Sequence, residues 1–489
     1  LDDATILKQL INAFKILRLN EFDFINYFNQ NKITDWRVVN TNNYFFLGHL
    51  KYQANYLKLN DKIENYPSVT HKFIKKKSIH HTNQLILSKK EVKKLSETFT
   101  NTELNQNLKP NLPIKTWNDF KPNIQSADIN SIEKSISNYI EQKIETLDAR
   151  TISVALSGGV DSTLVLSLIR KVKPDLNIQA VSIKFADSVD ETNDASKIAE
   201  TFNAEHHIVH LENYLSELPK AISMIKMPFW DLHWYYVVKK SQSLSKVLIS
   251  GDGGDELFGG YTFRYEKFLS LTSESSTPKE KLLAYLDCHE RDRVPDQEKI
   301  FNQKSNFSWN YIHNLLLPYF DNKLSRLEQV FLADYNGKLL YNFNPINANI
   351  IKNFKMELLT PILNDELLNI GPHLFQLEKY DPKNNIGKLP LRSILKKNMH
   401  DHLVGTKKLG FNVNTINLWK KYGKNLCKEF LTDARIVKDG WINNDWIKKH
   451  IDSSELDVRY VNKFYGILAF EIWYRLFITK EMNSNSTLD

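Results

Sequence analysis

The feature that most constrains the fold is a strand-like run that turns directly into a helix-like run. Residues 152–171 read ISVALSGGVDSTLVLSLIRK, where an apolar run breaks at Ser-Gly-Gly-Val-Asp-Ser and then resumes with helical spacing. Two glycines let the backbone approach an anion closely, and a helix start adds unpaired N–H donors and the positive end of the helix dipole. The turn is therefore predicted to hold a phosphate.

The side chains of this turn indicate a cation as well. Ser157 and Ser162 supply hydroxyl groups, whereas Asp161 would repel a phosphate unless a cation lay between them. The turn thus predicts phosphate together with Mg²⁺. It is not a Walker A loop, because no lysine follows the glycines at the required spacing. A plain strand-to-helix turn, with Asp161 or Ser162 as the helix cap, remains open on this hexapeptide alone.

A second acidic, glycine-rich loop follows another strand-like run. Residues 246–261 read KVLISGDGGDELFGGY, with Asp252, Asp255 and Glu256 within five positions. Closely spaced carboxylates repel each other, so they typically hold a hard cation or transfer protons. An acidic turn exposed to solvent is the structural alternative. Because both loops follow strands of one predicted sheet, they can converge on one ligand.

Short β-rich runs alternate with amphipathic helix-length segments from about residue 130 onward. The runs are ISVAL, IQAVSIKF, HHIVHL and KVLIS. This alternation predicts an α/β fold with a doubly wound parallel sheet and ligands beyond the carboxyl ends of its strands. We predict three units: a small N-terminal domain with its linker (1–125), the sheet domain (126–275) and a mainly helical C-terminal part (276–489).

Composition narrows the class of protein. Cys288 and Cys427 are the only cysteines, which argues against a disulfide framework or a cysteine zinc site and fits a reducing, cytoplasmic compartment. The chain shows no leader after Leu1 and no apolar run of the roughly 18 residues that a membrane helix needs, so no membrane partner is expected. The net charge is +8, but the only dense basic run is KFIKKKSIHH (72–81), which disfavours a nucleic-acid partner.

Together the two loops resemble the ATP-pyrophosphatase (PP-loop) domain of the asparagine synthetase family. That family carries S-G-G-x-D-S and S-G-[DE]-G-x-D-E-L-F-x-G-Y, matched by Ser157–Ser162 and Ser250–Tyr261. GKLPLR (387–392) and KKLGF (407–411) look like its K-x-x-L-R and K-x-G-F signatures. The resemblance implies the PP-loop type of α/β fold. It also implies that a carboxylate attacks the α-phosphorus of ATP, pyrophosphate leaves, and an amine converts the acyl-adenylate into an amide and AMP.

The resemblance also implies roles for individual residues. Asp161 and Asp255 would hold Mg²⁺, and Asp252 would lie nearest the attacking amine. Lys408 would neutralise charge on the phosphates in the transition state, and Glu256 completes the catalytic set. The residues expected to contact ATP are Leu156, Ser157, Gly158, Gly159, Val160, Asp161, Ser162, Ile183, Ser250 and Gly251.

Several departures from the family pattern bear on the substrates. Glutamine-dependent members begin with a cysteine nucleophile, whereas this chain begins with Leu1 and contains no recognisable glutaminase block. The amine is then free ammonia, ammonia from a separate glutaminase partner, or an amine on the substrate itself. Leu359 replaces the Arg of E-x-R-x-P-F-L-D, and Asn364 replaces its Asp. Asparagine formation leads among the reactions, but aspartate as the acceptor is in doubt.

The sequence is also compatible with several different activities. They are amidation of a sugar acid or a peptide, lactam formation, an RNA-modifying PP-loop enzyme that adenylates a base, and a non-catalytic ATP-binding partner. A homodimer is also open. The aromatic segment IKMPFWDLHWYYVV (225–238) is expected to select the acid, with core packing as its alternative. His206 and His207 are adjacent on a strand and point to opposite faces, so we predict structural roles for both.

Overall fold

The computed structural model describes residues 112–488, except 125, 186–189, 191, 306, 406–412 and 454–455. Most of the predicted N-terminal domain, the basic run 72–81 and Lys408 therefore lie outside the described residues. Within the described part, every helix is too short or too polar to cross a membrane.

Five parallel strands form the central sheet, in the order β3-β2-β1-β4-β5. Their bounds are β1 Thr151–Ala155, β2 Asn177–Phe185, β3 Glu205–Leu211, β4 Val247–Ile249 and β5 Glu357–Leu359. The inner strands are buried almost throughout, as expected for a parallel sheet covered by helices on both faces. A short antiparallel ribbon is formed by β6 Tyr380–Asp381 and β7 Ile386–Gly387. The predicted α/β class with a parallel sheet is confirmed.

The fifth strand comes from the C-terminal part, which we expected to be mainly helical. β5 pairs with β4, placing Leu359 beside Ile249, and the Ser250 N–H donates to the Leu359 carbonyl at 3.0 Å. A strand of three residues is too short to show a period of two, so its pattern could not be read from the sequence. The C-terminal part thus contributes one short strand to the sheet of the preceding unit.

Helices surround the sheet and build the C-terminal part. Their bounds are α1 Ile129–Thr146, α2 Val160–Val172, α3 Thr192–Thr201, α4 Leu218–Ile225, α5 His233–Gln242, α6 Gly254–Phe258, α7 Thr262–Leu271, α8 Pro278–Asp287, α9 Trp309–Phe320, α10 Arg326–Asp334, α11 Asn344–Asn353, α12 Asp365–His373, α13 Gln376–Lys379, α14 Leu389–Lys397, α15 Thr415–Leu418, α16 Lys424–Leu431, α17 Arg435–Lys438, α18 Asn444–Ile451 and α19 Val458–Phe477. Wide π-helical turns join α10 to α11 (Tyr335–Phe343) and α15 to α16 (Trp419–Gly423).

The core of the C-terminal part is helix α19, which is apolar on nearly all sides. Most of its residues from Val461 to Tyr474 are buried, as expected for a helix without a polar stripe. Its buried Glu471 accepts hydrogen bonds from the backbone N–H groups of Arg435 (2.9 Å) and Ile436 (3.1 Å). This carboxylate therefore holds the start of α17 against α19.

The residues that precede α1 are packed against this core. Asn336 and Lys115 exchange two hydrogen bonds of 3.1 and 2.8 Å, and Ile124 forms a parallel bridge with Leu374. The described part of the predicted linker, 112–124, is thus tied to α12 and to the π-helical turn after α10.

The order of the strands indicates where a ligand site is expected. Strand order reverses at β1, and ligands of such sheets bind in the crevice beyond the carboxyl ends of the strands at this switch point. The loops after β1 and β4, which are neighbouring strands, open at that edge. Helix α5 runs back toward the start of β4, so its first residue, His233, lies at the same edge.

Candidate active site

The loop after β1 has the backbone geometry of an anion cradle. Gly158 adopts a φ of +66°, which side chains disfavour, and Gly159 is the N-cap of α2. Ser162 ties the loop together: its Oγ accepts from the Ser157 N–H at 3.2 Å and lies 3.2 Å from the Ser157 Oγ. Val160, the first residue of α2, is buried. These contacts fix the backbone between β1 and the start of α2, where a phosphate would bind.

The two glycine-rich loops touch. A Cβ added to Gly251 would lie 2.8 Å from the backbone carbon of Asp161 and 2.9 Å from the Ser162 N. A Cβ on Gly254 would lie 2.3 Å from Asp161 Oδ1. Only glycine permits these approaches, so the glycines of the second loop are what bring its backbone against the first.

A buried lysine joins the carboxylates of the two loops. Lys388, just before α14, forms an ion pair with Asp161 Oδ2 and another with Asp255 Oδ1 at 2.9 Å. Burial by itself lowers the pKa of Lys388, but the charges of Asp161 and Asp255 outweigh burial and hold that pKa above its ordinary value. The ammonium group marks a position between the loops where a positive charge is strongly favoured.

This pair of carboxylates fits a divalent cation bound together with phosphate. Mg²⁺ typically takes one or two protein carboxylates and completes its shell with phosphate oxygens and water. Asp161 and Asp255 lie within reach of one ammonium group, and both are partly exposed. Among residues 112–488 as described, no group of three or more His, Cys, Asp or Glu has the arrangement of a metal site, so phosphate ligands would be needed.

The residues expected to border adenosine lie on neighbouring strands. Leu156 follows β1 and is fully buried, and its N–H donates to the Val181 carbonyl at 2.9 Å. Ile183, on β2, is also buried. Ser182 donates to the Leu156 carbonyl at 2.6 Å and lies 2.8 Å from His206 Nε2. These hydrogen bonds hold the carboxyl ends of β1 and β2 in place.

His206 and His207 of β3 form hydrogen bonds with side chains of β2 and α3. His206 lies 2.8 Å from both Ser182 Oγ and Ser196 Oγ, so both of its ring nitrogens have hydroxyl partners. The Nε2 of His207 lies 2.7 Å from Gln179 Oε1. These contacts agree with structural roles for both residues.

Asp252 lies in the second loop beside a polar residue from a distant helix. Asn347 on α11 donates its Nδ2 hydrogen to Asp252 Oδ2 at 2.9 Å. Burial raises the pKa of Asp252, and the Asn347 hydrogen bond and the charge of His233 oppose that rise. Asp252 is therefore a carboxylate of increased basicity at the edge of the site.

Glu256 points into the protein instead. It is almost fully buried and accepts a hydrogen bond of 2.5 Å from the Tyr261 hydroxyl. Glu256 thus contacts the end of its own loop, whereas Asp252 contacts α11.

Lys388, Asn347 and Arg392 are site residues that the sequence analysis did not single out. The K-x-x-L-R signature contains Lys388 and Arg392 and was the available signal for both. Arg392 donates to the carbonyl of Gly405 at 2.9 Å, immediately before the segment that contains Lys408. Asn347 lies in an unremarkable helical run, and nothing in its local sequence marks it.

The two departures in the segment 357–365 have structural consequences. Leu359 is buried at the end of β5, beside β4. Asn364 caps α12 by accepting from the Leu367 N–H at 2.9 Å, and it also accepts from Ser135 Oγ at 3.1 Å. Neither position presents a charge at the edge of the sheet.

Comparison with known proteins agrees with this geometry. The asparagine synthase family model matches residues 143–475. Asparagine synthetase (glutamine-hydrolyzing) 1 of Bacillus subtilis is 25% identical over 406 residues, covering 74% of this chain and 62% of the relative. A putative asparagine synthetase (glutamine-hydrolyzing) 2 of Methanocaldococcus jannaschii is 32% identical over 148 residues, covering 29% of this chain and 28% of the relative.

Among solved structures, an NH3-dependent NAD synthetase from Campylobacter jejuni matches with 18% identity and a TM-score of 0.24, covering 47% of this chain and 94% of that one. The family match, in contrast, spans the sheet, both loops, Lys388 and most of the C-terminal helices. The chain belongs to the asparagine synthase family.

Proposed function

We propose that the protein is an ATP-dependent ligase that joins a carboxylate to an amine, releasing AMP and pyrophosphate. One observation carries the proposal: two glycine-rich loops touch at the switch point of the sheet, and a buried lysine bridges Asp161 and Asp255 across them. Such an arrangement brings backbone N–H donors, one cation and two carboxylates that could bind a metal ion close together. They would surround the pyrophosphate as it leaves.

Each loop has its own task in this reaction. The N–H groups around Gly158 and Gly159 hold the phosphates of ATP, while Leu156 and Ile183 border the adenosine. Asp161 and Asp255 hold Mg²⁺, which would neutralise phosphate charge and orient the leaving pyrophosphate. Lys388, just before α14, adds a second positive charge, and Lys408 would supply another.

Asp252 serves the second half of the reaction. Its carboxylate is held by Asn347, and burial raises its pKa, so it is suited to accept a proton from an amine. The amine is ammonia, free or released from glutamine by a glutaminase, or an amine on the substrate itself.

Asparagine formation is the first reaction to test, because the curated relatives are named asparagine synthetases. One observation favours acids other than aspartate: Leu359, buried on β5, stands where the family motif carries Arg. Without that cation, sugar acids, peptides and substrates that cyclise to lactams become candidates.

The test is carboxylate-dependent exchange of radiolabelled pyrophosphate into ATP, with aspartate, glutamate, a uronic acid and short peptides as acids. We expect exchange with at least one acid, and a loss of about 100-fold or more in Asp161→Asn and Asp255→Asn. Asp194→Asn removes an exposed carboxylate of α3 and should behave as wild type.

Three other results would refute the site assignment or indicate a different function. Equal exchange by wild type and both variants would refute the site assignment. Pyrophosphate release that requires RNA would indicate an RNA-modifying enzyme. Failure to exchange with any acid would indicate a non-catalytic ATP-binding partner.

A further inference from the structure

The segment 225–238 contains two polar residues among buried aromatic side chains. Trp230, Trp234 and Tyr236 are at most 6% exposed, which places them in the core. Asp231 and His233 differ, since their side chains are 29% and 22% exposed. A polar pair that stays accessible within a core segment calls for an explanation different from packing.

This pair is held rigidly. His233 Nδ1 lies 2.9 Å from Asp231 Oδ1. The Tyr214 hydroxyl donates to the same carboxylate oxygen at 2.7 Å and accepts from the His233 N–H at 2.8 Å. Tyr214 is itself buried, so it fixes both the carboxylate and the first turn of α5. An imidazole whose Nδ1 donates to a carboxylate is oriented with Nε2 as its basic nitrogen.

The topology of the sheet also places this pair near the candidate active site. His233 begins α5 at the carboxyl edge of the sheet, where the loop with Asp252 opens. Helix α5 packs against α11, whose Asn347 bonds to Asp252. A protonated His233 would oppose the rise in the pKa of Asp252 that burial causes, so the two side chains lie within electrostatic reach of each other. The charged and titratable groups around the imidazole thus include Asp231, Tyr214 and Asp252.

The proposed reaction creates a need for such a group. Ammonia is mostly ammonium near neutral pH, and ammonium has no lone pair to attack a carbonyl carbon. It must lose one proton to become a nucleophile. After the C–N bond forms, the nitrogen loses a second proton as the C–O bond to AMP breaks and its electron pair goes to the phosphate oxygen. Two protons leave per turnover, and Asp252 can hold only one of them.

We propose that His233, positioned by Asp231 and Tyr214, accepts the proton that the entering ammonium or primary amine loses before it attacks. Asp252 then accepts the proton from the adduct. Because His233 is partly exposed, it returns its proton to solvent between turnovers. The inference rests on the proposed ligase function and assigns a catalytic residue to its second half-reaction.

The experiment compares two amines at pH 7, using the acid that gives the strongest pyrophosphate exchange in wild type. Ammonium chloride enters charged, whereas hydroxylamine is largely neutral and needs no prior deprotonation. His233→Gln should slow amide formation from ammonium chloride about 100-fold, with a loss at least tenfold smaller for hydroxamate formation. Pyrophosphate exchange should be unchanged, because adenylation precedes amine attack.

Two further variants complete the set. Asp231→Asn should show the same amine dependence with a smaller loss, since it disturbs the orientation of the imidazole. His210→Gln alters an exposed histidine of β3 and should match wild type. Equal losses with both amines, or wild-type rates in His233→Gln, would overturn the inference while leaving exchange intact. Absence of exchange in wild type would overturn the proposed function and this inference with it.

Discussion

Lys388 Nζ lies 2.9 Å from Asp255 Oδ1 and also pairs with Asp161, so one ammonium group at the N-cap of α14 joins carboxylates that follow β4 and β1. These three residues are distant in sequence and charged, and Lys388 is only 8% exposed. A buried cation between two carboxylates stabilises the fold, and the same two carboxylates are the ones that we propose for Mg²⁺. Lys388 and Mg²⁺ are therefore expected to share the same carboxylates.

Lys388→Met should make the stability of the protein depend on Mg²⁺. Without Lys388 the two partly exposed carboxylates repel each other, so the folded state loses stability unless another cation lies between them. We expect a lower melting temperature in EDTA and a larger increase on adding Mg²⁺ than in wild type, measured by differential scanning fluorimetry. Lys396→Met, on the exposed face of the same helix, is the control. Equal stabilisation of wild type, Lys388→Met and Lys396→Met by Mg²⁺ would refute the idea that Lys388 and Mg²⁺ share the two carboxylates.

Gly251→Ala should separate the two loops. The new Cβ would lie 2.8 Å from both the backbone carbon and the Cβ of Asp161, a distance that real contacts do not show. We expect pyrophosphate exchange to fall at least about tenfold, with little change in circular dichroism. Gly405→Ala is the matched control, because its Cβ would meet nothing within 4 Å among the described atoms. Full exchange in Gly251→Ala would show that contact between the loops is not required.

Lys379→Met should stabilise the protein in a pH-dependent manner. Lys379 is fully buried near the rings of Phe120 and Phe331, and burial lowers its pKa to about 7. An unfolded lysine keeps its proton up to about pH 10.4. Between about pH 7 and pH 10, the unfolded chain therefore binds more protons than the folded one, and the free energy of unfolding rises with pH.

The cost of charging Lys379 in the folded state is thus complete below pH 7 and disappears toward pH 10. The gain from Lys379→Met should be on the order of a few kcal/mol at pH 7, and it should shrink as pH approaches 10. Urea unfolding of wild type and variant across this range measures the difference. Lys383→Met, at an exposed position, should show no such trend. A gain independent of pH would mean that the lysine is charged throughout.

Asp252→Asn should separate the two half-reactions. An amide keeps the shape of the side chain and can still bond to Asn347, but it cannot accept a proton from the amine. We expect pyrophosphate exchange to remain within about threefold of wild type, while amide formation falls about 100-fold or more. Since burial raises the pKa of Asp252, the variant should also be somewhat more stable than wild type at pH 7. A parallel loss of exchange would place Asp252 in the adenylation step.

The α/β class and the family could be predicted from the sequence because their signals are local. The strand runs and the helix starts can be recognised in short stretches of sequence. The glycines and carboxylates of the first loop lie within six residues, and those of the second loop lie within twelve. Strand β5 could not be predicted in the same way, because three residues that pair with β4 carry no periodic pattern.

The sequence by itself determined which residues could hold phosphate and a cation, since backbone freedom and charge are properties of each short loop. Only the tertiary structure decided which distant side chains join them. Lys388 reaches Asp161 across 227 positions and Asn347 reaches Asp252 across 95, because sheet order and helix packing bring these elements to one edge. The tertiary structure likewise placed Glu256 against Tyr261 and His233 beside Asp231. Side-chain direction depends on what packs around each residue, and no local pattern of sequence records it.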